Sequence, residues 1–263
     1  MINALTIAGT DPSGGAGIHA DLKTFSALGA YGMSVITAQV AQNTQGVQAV
    51  LPTPLDFLEK QFFSVIDDVR VDSVKVGALV NPEIVALVAK LLRDHPQPFV
   101  VLDTVMIAKG GHPLLVQEAV DTIRDEMLPL SSIITPNLPE AAALLETREA
   151  QNYEEMVEQG QALLKLGPKS VLMKGGHLTC DESPDVLVTA DEVVRFDAKR
   201  VKTKNCHGTG CTLSAAIAAL YPEHGLVEAV RLAKEYITGA LEHADRLEVG
   251  KGIGPTHHFY RWW

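Results

Sequence analysis

The feature that most restricts how this chain can fold is a rhythm of short, unbroken apolar runs, each ending on polar residues and followed by a helix-like stretch. Residues 5–8 lead into a Gly-rich turn and a helical pattern over about 15–28, and 34–40 reads as the next strand. Helical patterns over 54–68 and 82–94 flank the apolar run 74–80. Residues 99–102 then close on Asp103, 133–134 on Thr135-Pro136-Asn137, and 171–173 on Lys174-Gly175-Gly176. A strand with one wet face alternates apolar and polar side chains, so runs that are apolar throughout imply burial on both faces. Residues 185–201 depart from this rhythm and read as an antiparallel hairpin turning at Ala190-Asp191-Glu192. A loop over 203–210 follows, then helices over about 212–220 and 226–247. The expected fold is therefore α/β, a mostly parallel central sheet with helices on both faces and a small antiparallel hairpin. No repeat, low-complexity tract or long linker divides the chain, so 1–263 is read as one domain.

With 263 residues, 46% of them hydrophobic, the chain can bury one sizeable core. The formal net charge is −10 and no Lys/Arg cluster is present to track a phosphate backbone, which argues against nucleic acid as a partner. Cys180, Cys206 and Cys211 are too few and too irregular for a disulfide framework, and no C-x-x-C spacing occurs. The first residues carry no basic region of a signal peptide, and no stretch approaches the ~18 apolar residues of a membrane span. A cytoplasmic protein with no membrane partner is expected.

Ligands of an open parallel sheet bind outside the carboxyl ends of its strands. Asp11, Gln42, Asp103, Asn137 and Lys174 all stand at such ends. Gly9-Thr10-Asp11-Pro12-Ser13-Gly14-Gly15-Ala16-Gly17 is a strand-to-helix loop that fits neither G-x-G-x-x-G nor a P-loop. It is either a tight turn needing positive φ or a place where a flat ligand approaches the main chain. Asn137-Leu138-Pro139-Glu140 has the form of a capping box. Asp103 and Glu140 together offer carboxylates to a hydrated Mg²⁺ beside a triphosphate. Lys174 offers a point charge to a phosphate, while His177 reads as structural or exposed. In Asn205-Cys206-His207-Gly208-Thr209-Gly210-Cys211-Thr212, glycines run directly into an apolar helix. Free N–H groups there, with a helix dipole behind them, form an anion hole for a transferring phosphoryl group. Cys211 lies near that helix start, where a thiol pKa tends to fall.

These motifs, with Asp21-Leu22-Lys23-Thr24-Phe25, Ala41-Gln42-Asn43-Thr44, Leu102-Asp103-Thr104-Val105-Met106, Met173-Lys174-Gly175-Gly176-His177 and Gly252-Ile253-Gly254-Pro255-Thr256-His257-His258, resemble the hydroxymethylpyrimidine/phosphomethylpyrimidine kinases of thiamine biosynthesis. The resemblance spans essentially the whole chain. It implies a ribokinase-like three-layer α/β/α sandwich, a homodimer, and use of ATP with Mg²⁺. The substrates it implies are 4-amino-5-hydroxymethyl-2-methylpyrimidine and then its monophosphate. Gln42 should meet the aminopyrimidine, with the Gly9 backbone and contacts from Ala16, Asp21, Val40 and Ala78. Asp103 and Glu140 should lie at the metal, and Asn137, Lys174 and His207 near the nucleotide. Gly208, Thr209, Gly210 and Cys211 should form the catalytic anion hole, with Gly208 and Gly210 also touching nucleotide. Sugar-kinase relatives carry a basic Asp where Cys211 stands, so Cys211 is expected to orient or weakly activate the hydroxymethyl group. Ala78 stands where the family often has Met, and Cys206 where Thr is common, which bear on ring selectivity and adenine packing. Two other readings remain open at this level: a pyridoxal/pyridoxine kinase, and a non-catalytic pyrimidine-binding regulator. The aromatic tail from Phe259 to Trp263 is expected to pack on the domain or across a dimer.

Overall fold

The computed structural model describes residues 1–106, 117–178 and 182–263, so Cys180 lies outside the described residues. Its main sheet has eight strands in the order β10-β9-β8-β7-β6-β5-β1-β2. The strands are β1 (Asn3–Ala8), β2 (Tyr31–Ile36), β5 (Ser73–Val76), β6 (Val100–Leu102), β7 (Ile133–Ile134), β8 (Ser170–Lys174), β9 (Asp185–Thr189) and β10 (Val193–Phe196). All pairs from β2 to β8 are parallel, while β8–β9 and β9–β10 are antiparallel. A separate antiparallel pair is formed by β3 (Ala38–Asn43) and β4 (Gly46–Pro52).

The unbroken apolar runs are explained by two separate cores. Successive strand residues point to opposite faces. Leu5 and Ile7, Val74 and Val76, Val100 and Leu102, and Val171 and Met173 enter one core, with α2 (Leu55–Ile66), α3 (Pro82–Asp94), α4 (Gln117–Thr122), α5 (Leu138–Leu145) and α6 (Tyr153–Leu164). Ala4, Val101, Ile133, Leu172 and Leu187 enter the other, with α1 (Gly17–Ala27), α7 (Thr209–His224) and α8 (Leu226–Glu242). This is the three-layer sandwich expected from the sequence. The Ala-rich stretch Ala215, Ala216, Ala218 and Ala219 is buried and lets α7 approach the sheet closely, where Ser73 Oγ donates to the Ala218 carbonyl at 2.7 Å.

Two boundaries differ from expectation. The run 34–40 is not one strand: β2 ends at Ile36 and β3 begins at Ala38 in the second sheet. Between them Thr37 donates its N–H to the Ala8 carbonyl and its hydroxyl to the Ala78 carbonyl, which turns the chain away without breaking the apolar pattern. Strand β4 gave no buried-strand signal because it is largely exposed. The expected helix over 226–247 ends at Glu242 and is followed by a 3-10 turn, Ala244–Arg246.

Candidate active site

A cavity of ≈ 610 Å³ opens at the carboxyl ends of the parallel strands. It is lined by Gly9, Ala16, Val40, Gln42 and Ala78, and also by Asp103, Asn137, Glu140 and Lys174. His207, Gly208, Thr209, Gly210 and Cys211 lie along the same cavity. Gln42 is placed by a register shift between Ala41 and Gln42 in the β3–β4 pair, a bulge that re-aims the side chain.

The 208–211 loop turns sharply into the start of α7. Gly208 adopts φ +79°, a left-handed turn, and α7 begins immediately after it. Thr212 N–H returns to the Gly208 carbonyl at 2.8 Å and Thr209 Oγ1 donates to the Cys206 carbonyl at 2.7 Å. Among the described residues, no acceptor takes the N–H groups of Gly210 and Cys211. A methyl group added at Gly210 would lie 3.3 Å from Lys174 Nζ and 3.8 Å from Asp103 Oδ1, so loop, cation and carboxylate meet at one point.

Lys174 Nζ stands 3.5 Å from Asp103 Oδ1 and 3.8 Å from Glu140 Oε2. Burial opposes its charge, but Glu140 and Asp103 outweigh burial and raise the Lys174 pKa. The turn after Lys174 is fixed by Asp185, which accepts from Gly175 N–H at 3.0 Å and pairs with Lys234 at 2.8 Å. The capping box is present: Asn137 Oδ1 accepts from Glu140 N–H at 2.9 Å, and Glu140 Oε2 accepts from Asn137 N–H at 2.9 Å. Thr104 Oγ1 donates to the same Glu140 oxygen. Burial raises the Glu140 pKa against the pull of Lys174. Asp103 Oδ2 is buried without a hydrogen-bond partner among the described residues. An unpartnered carboxylate oxygen near a second buried carboxylate fits a divalent cation, which would supply what that oxygen lacks.

The two glycine loops are locked together by Asp11. Its Oδ1 accepts from Ser13 N–H and Oγ at 2.9 and 2.7 Å, and its Oδ2 from Gly15 and Ala16 N–H at 3.1 and 2.8 Å. His207 Nε2 donates to the same Oδ2 at 2.7 Å. His207 was expected at the nucleotide; it does line the cavity, but Asp11 engages its ring. The C-terminal segment straps this arrangement: Gly254 O accepts from His207 N–H, and His258 Nε2 lies 3.0 Å from Thr212 Oγ1. In the tail, Phe259 and Tyr260 pack on the second core, whereas Trp262 and Trp263 are exposed. Burial alone would raise Asp11, but His207 and Ser13 overcome it and hold its pKa at about 2, below the ordinary 3.8. A depressed carboxylate pKa contributes stability that is full above the unfolded value and is lost as pH falls through the folded one. Asp11→Asn should therefore cost about 2 kcal/mol at neutral pH. The gap from the parent in urea unfolding should narrow as pH drops from about 4 towards about 2; a gap independent of pH would contradict this.

Two expectations are corrected. Asp21 does not line the cavity; its carboxylate is sealed against Lys75 Nζ at 2.9 Å, with both side chains 0% exposed. Cys211 is not an acidified thiol: burial pushes it up to about 12, Lys75 opposes this, and the nearby Asp103 and Asp21 add to it. The helix start does not offset an interior environment crowded with carboxylates. Sequence reasoning also missed cavity walls formed by Lys199, Val201 and Thr203 and by Ile237, Thr238 and Leu241 of α8. The first three lie in the segment after β10 and the last three on α8, so only the tertiary fold brings them to one cavity.

The sheet, the glycine loop at a helix start and the cation–carboxylate cluster at its rim are those of a ribokinase-like small-molecule kinase. The chain is similar to the hydroxymethylpyrimidine/phosphomethylpyrimidine kinase of Salmonella typhimurium, 61% identical over 100% of this chain and 99% of that protein. It matches the family described as phosphomethylpyrimidine kinase over residues 11–257, and belongs to it. Among solved structures, a phosphomethylpyrimidine kinase from Clostridium difficile superposes with TM-score 0.82 and 43% identity, covering 92% of this chain and 100% of that one. The ADP complex of Bacillus subtilis pyridoxal kinase superposes with TM-score 0.90 and 36% identity, covering 98% and 97%.

Proposed function

We propose that this chain, acting as one kinase domain, transfers the terminal phosphoryl group of ATP to 4-amino-5-hydroxymethyl-2-methylpyrimidine. It then phosphorylates the resulting monophosphate to the diphosphate, for thiamine diphosphate synthesis. The observation that carries this reading is the meeting of the 208–211 loop with Lys174 and Asp103 in a cavity that Gln42 also lines. Gln42 hydrogen-bonds the aminopyrimidine edge, the Gly9 main chain lies along the ring, and Ala16, Val40 and Ala78 pack around it. Lys174 and Asn137 hold the donor phosphates. The N–H groups of Gly210 and Cys211 receive the charge that develops on the transferring group, which is where preorganised donors accelerate most. Asp103 and Glu140 would hold Mg²⁺, which neutralises phosphate charge when bound.

A thiol raised to about 12 stays protonated at neutral pH, so Cys211 orients the acceptor oxygen rather than removing its proton as a thiolate. Cys211→Ala should lower kcat on the alcohol by about tenfold. It should lower kcat on the monophosphate less, because that acceptor is already anionic. Equal losses on both acceptors would contradict this role.

The same reading includes a cytoplasmic homodimer. In support, Leu51 of β4 is 65% exposed and Phe57 of α2 is 57% exposed. No helix among the described residues is long and apolar enough to cross a membrane. A second reading, phosphorylation of the pyridoxine group, is favoured by the similarity to Bacillus subtilis pyridoxal kinase and by the small Ala78 in the cavity wall. Phosphorylation assays with MgATP, resolving mono- and diphosphate, decide between them. The expected result is both pyrimidine phosphates with a higher kcat/KM than pyridoxine or pyridoxal; preference for the latter would overturn the assignment.

A further inference from the structure

Residues 252–258 form no helix or extended strand, yet 254–258 are all buried. Irregular chain normally stays at the surface, because buried backbone N–H and C=O groups need partners. Here the partners belong to separate parts of the molecule. On one side stands Thr44, in the turn between β3 and β4. Its carbonyl accepts from Ile253 N–H at 2.8 Å and its hydroxyl from Gly252 N–H at 3.0 Å. On the other side stands His207, whose N–H donates to the Gly254 carbonyl at 2.9 Å and whose carbonyl accepts from Thr256 N–H at 3.3 Å. His258 Nε2 lies 3.0 Å from Thr212 Oγ1, near the start of α7. The end of the segment is pinned to α8: His257 N–H donates to the Ala240 carbonyl at 3.0 Å, and Tyr236 Oη to the His258 carbonyl at 2.6 Å.

These approaches are close enough to demand glycine. A methyl group at Gly252 would collide with the Thr44 carbonyl, and one at Gly254 with Asn205 Oδ1, two residues ahead of His207. Neither glycine has a positive φ, so the missing Cβ serves close approach rather than turn geometry. Pro255 reaches the first glycine loop, its Cβ 3.1 Å from where a methyl on Gly15 would lie. Thr44 stands two residues beyond Gln42, across a turn closed by the pairing of Asn43 with Gly46. Strand β4 is largely exposed, so burial does little to fix that turn. The short run 252–256 thus bonds the turn beyond Gln42 at one end and the residue ahead of Gly208 at the other.

We propose that Thr44 and the strap 252–258 form a positioning element that keeps the Gln42 hairpin in register with the 208–211 loop. The catalytic consequence rests on the kinase reading above, in which Gln42 holds the acceptor ring and the loop receives the transferring phosphoryl group. Transfer depends on the alignment of these two, and a displacement of about 1 Å is costly. The strap carries any shift of the hairpin to the loop through hydrogen bonds on both of its sides.

The test uses the full chain and two variants on the hairpin side. Thr44→Val keeps the side-chain shape and removes the acceptor for Gly252 N–H; Gly252→Ala drives strap and turn apart. Amide hydrogen–deuterium exchange over 204–214 and 254–258 reads the far junction with no ATP or acceptor present. The His207 and Thr256 amides should exchange several-fold faster in each folded variant, while β1 and β6 keep parent rates. In kcat/KM for the pyrimidine alcohol, Thr44→Val should lose about fivefold, the worth of one hydrogen bond, and Gly252→Ala at least about tenfold, with the KM for ATP unchanged in both. Folding of either variant suffices for the comparison. Parent-like exchange at His207 and Thr256, equal acceleration throughout the sheet, or parent-like kcat/KM for the alcohol would each overturn the proposal. If the parent itself phosphorylates no pyrimidine alcohol, the kinase reading fails, while the exchange comparison still decides the coupling.

Discussion

Gly208→Ala is expected to lower kcat on the pyrimidine alcohol by at least ~10²-fold, the order reported for loss of one preorganised oxyanion donor. Gly208 sits at φ +79°, where an L-residue with a Cβ is strained. The added Cβ would also collide with the Gly15 carbonyl, so the two glycine loops must separate. Separation pulls His207 from Asp11 Oδ2, now at 2.7 Å, and re-aims the Gly210 and Cys211 N–H groups. The lost quantity is alignment, not binding area, so kcat should fall further than the affinity for ATP. Rapid-quench measurement of the first turnover, alongside circular dichroism to confirm the fold, checks this. A variant with parent-like single-turnover rates would show that the loop does not stabilise the reacting group.

Lys174→Met should reduce kcat/KM for ATP by ~10²- to ~10³-fold. The Lys174 ammonium neutralises Asp103 and Glu140 at 3.5 and 3.8 Å and lies against the N-terminal turn of α7. Met keeps the stem volume, so packing beneath the cavity is preserved while the point charge is removed. Without it, two buried carboxylates face the donor phosphates, and the approach of a polyanion is disfavoured. Steady-state kinetics over a wide ATP range reads the effect. Loss confined to the KM for the pyrimidine would place Lys174 on the acceptor side and contradict its assignment.

The strand rhythm carried most of the fold because burial on two faces leaves a pattern that local sequence retains. Val100, Val101 and Leu102 read as one run, and only the two cores show that they serve different layers. The bend at Thr37 was hidden because its hydrogen bonds to Ala8 and Ala78 are long-range and leave the apolar pattern intact. Asp103, Asn137 and Lys174 come together because a parallel sheet places its carboxyl ends along one rim, whereas Gln42 reaches the same cavity from β3 of the separate antiparallel pair and Asp11 is not among the lining residues. What each does there was less legible. Asp21 has the chemistry of a ligand contact, but its helix turns it onto Lys75, a residue 54 positions away. His207 lines the cavity, but the bond between its ring and Asp11, 196 positions away, left no local signal. Burial first, then the opposing charges of Lys75, Asp103 and Asp21, all distant in sequence, set the Cys211 environment, so helix position alone gave the wrong direction for its pKa.

The central claim is geometric: one cavity presents an acceptor to the same loop that receives the donor's terminal phosphate. Crystals grown with a non-hydrolysable ATP analogue, Mg²⁺ and the pyrimidine alcohol would measure it directly. The hydroxymethyl oxygen should stand in line with the terminal phosphorus, beside Cys211, with Gln42 on the ring and the Gly210 N–H on a phosphate oxygen. A pyrimidine bound away from Gln42, or a terminal phosphate seated away from Gly210 and Lys174, would contradict the account.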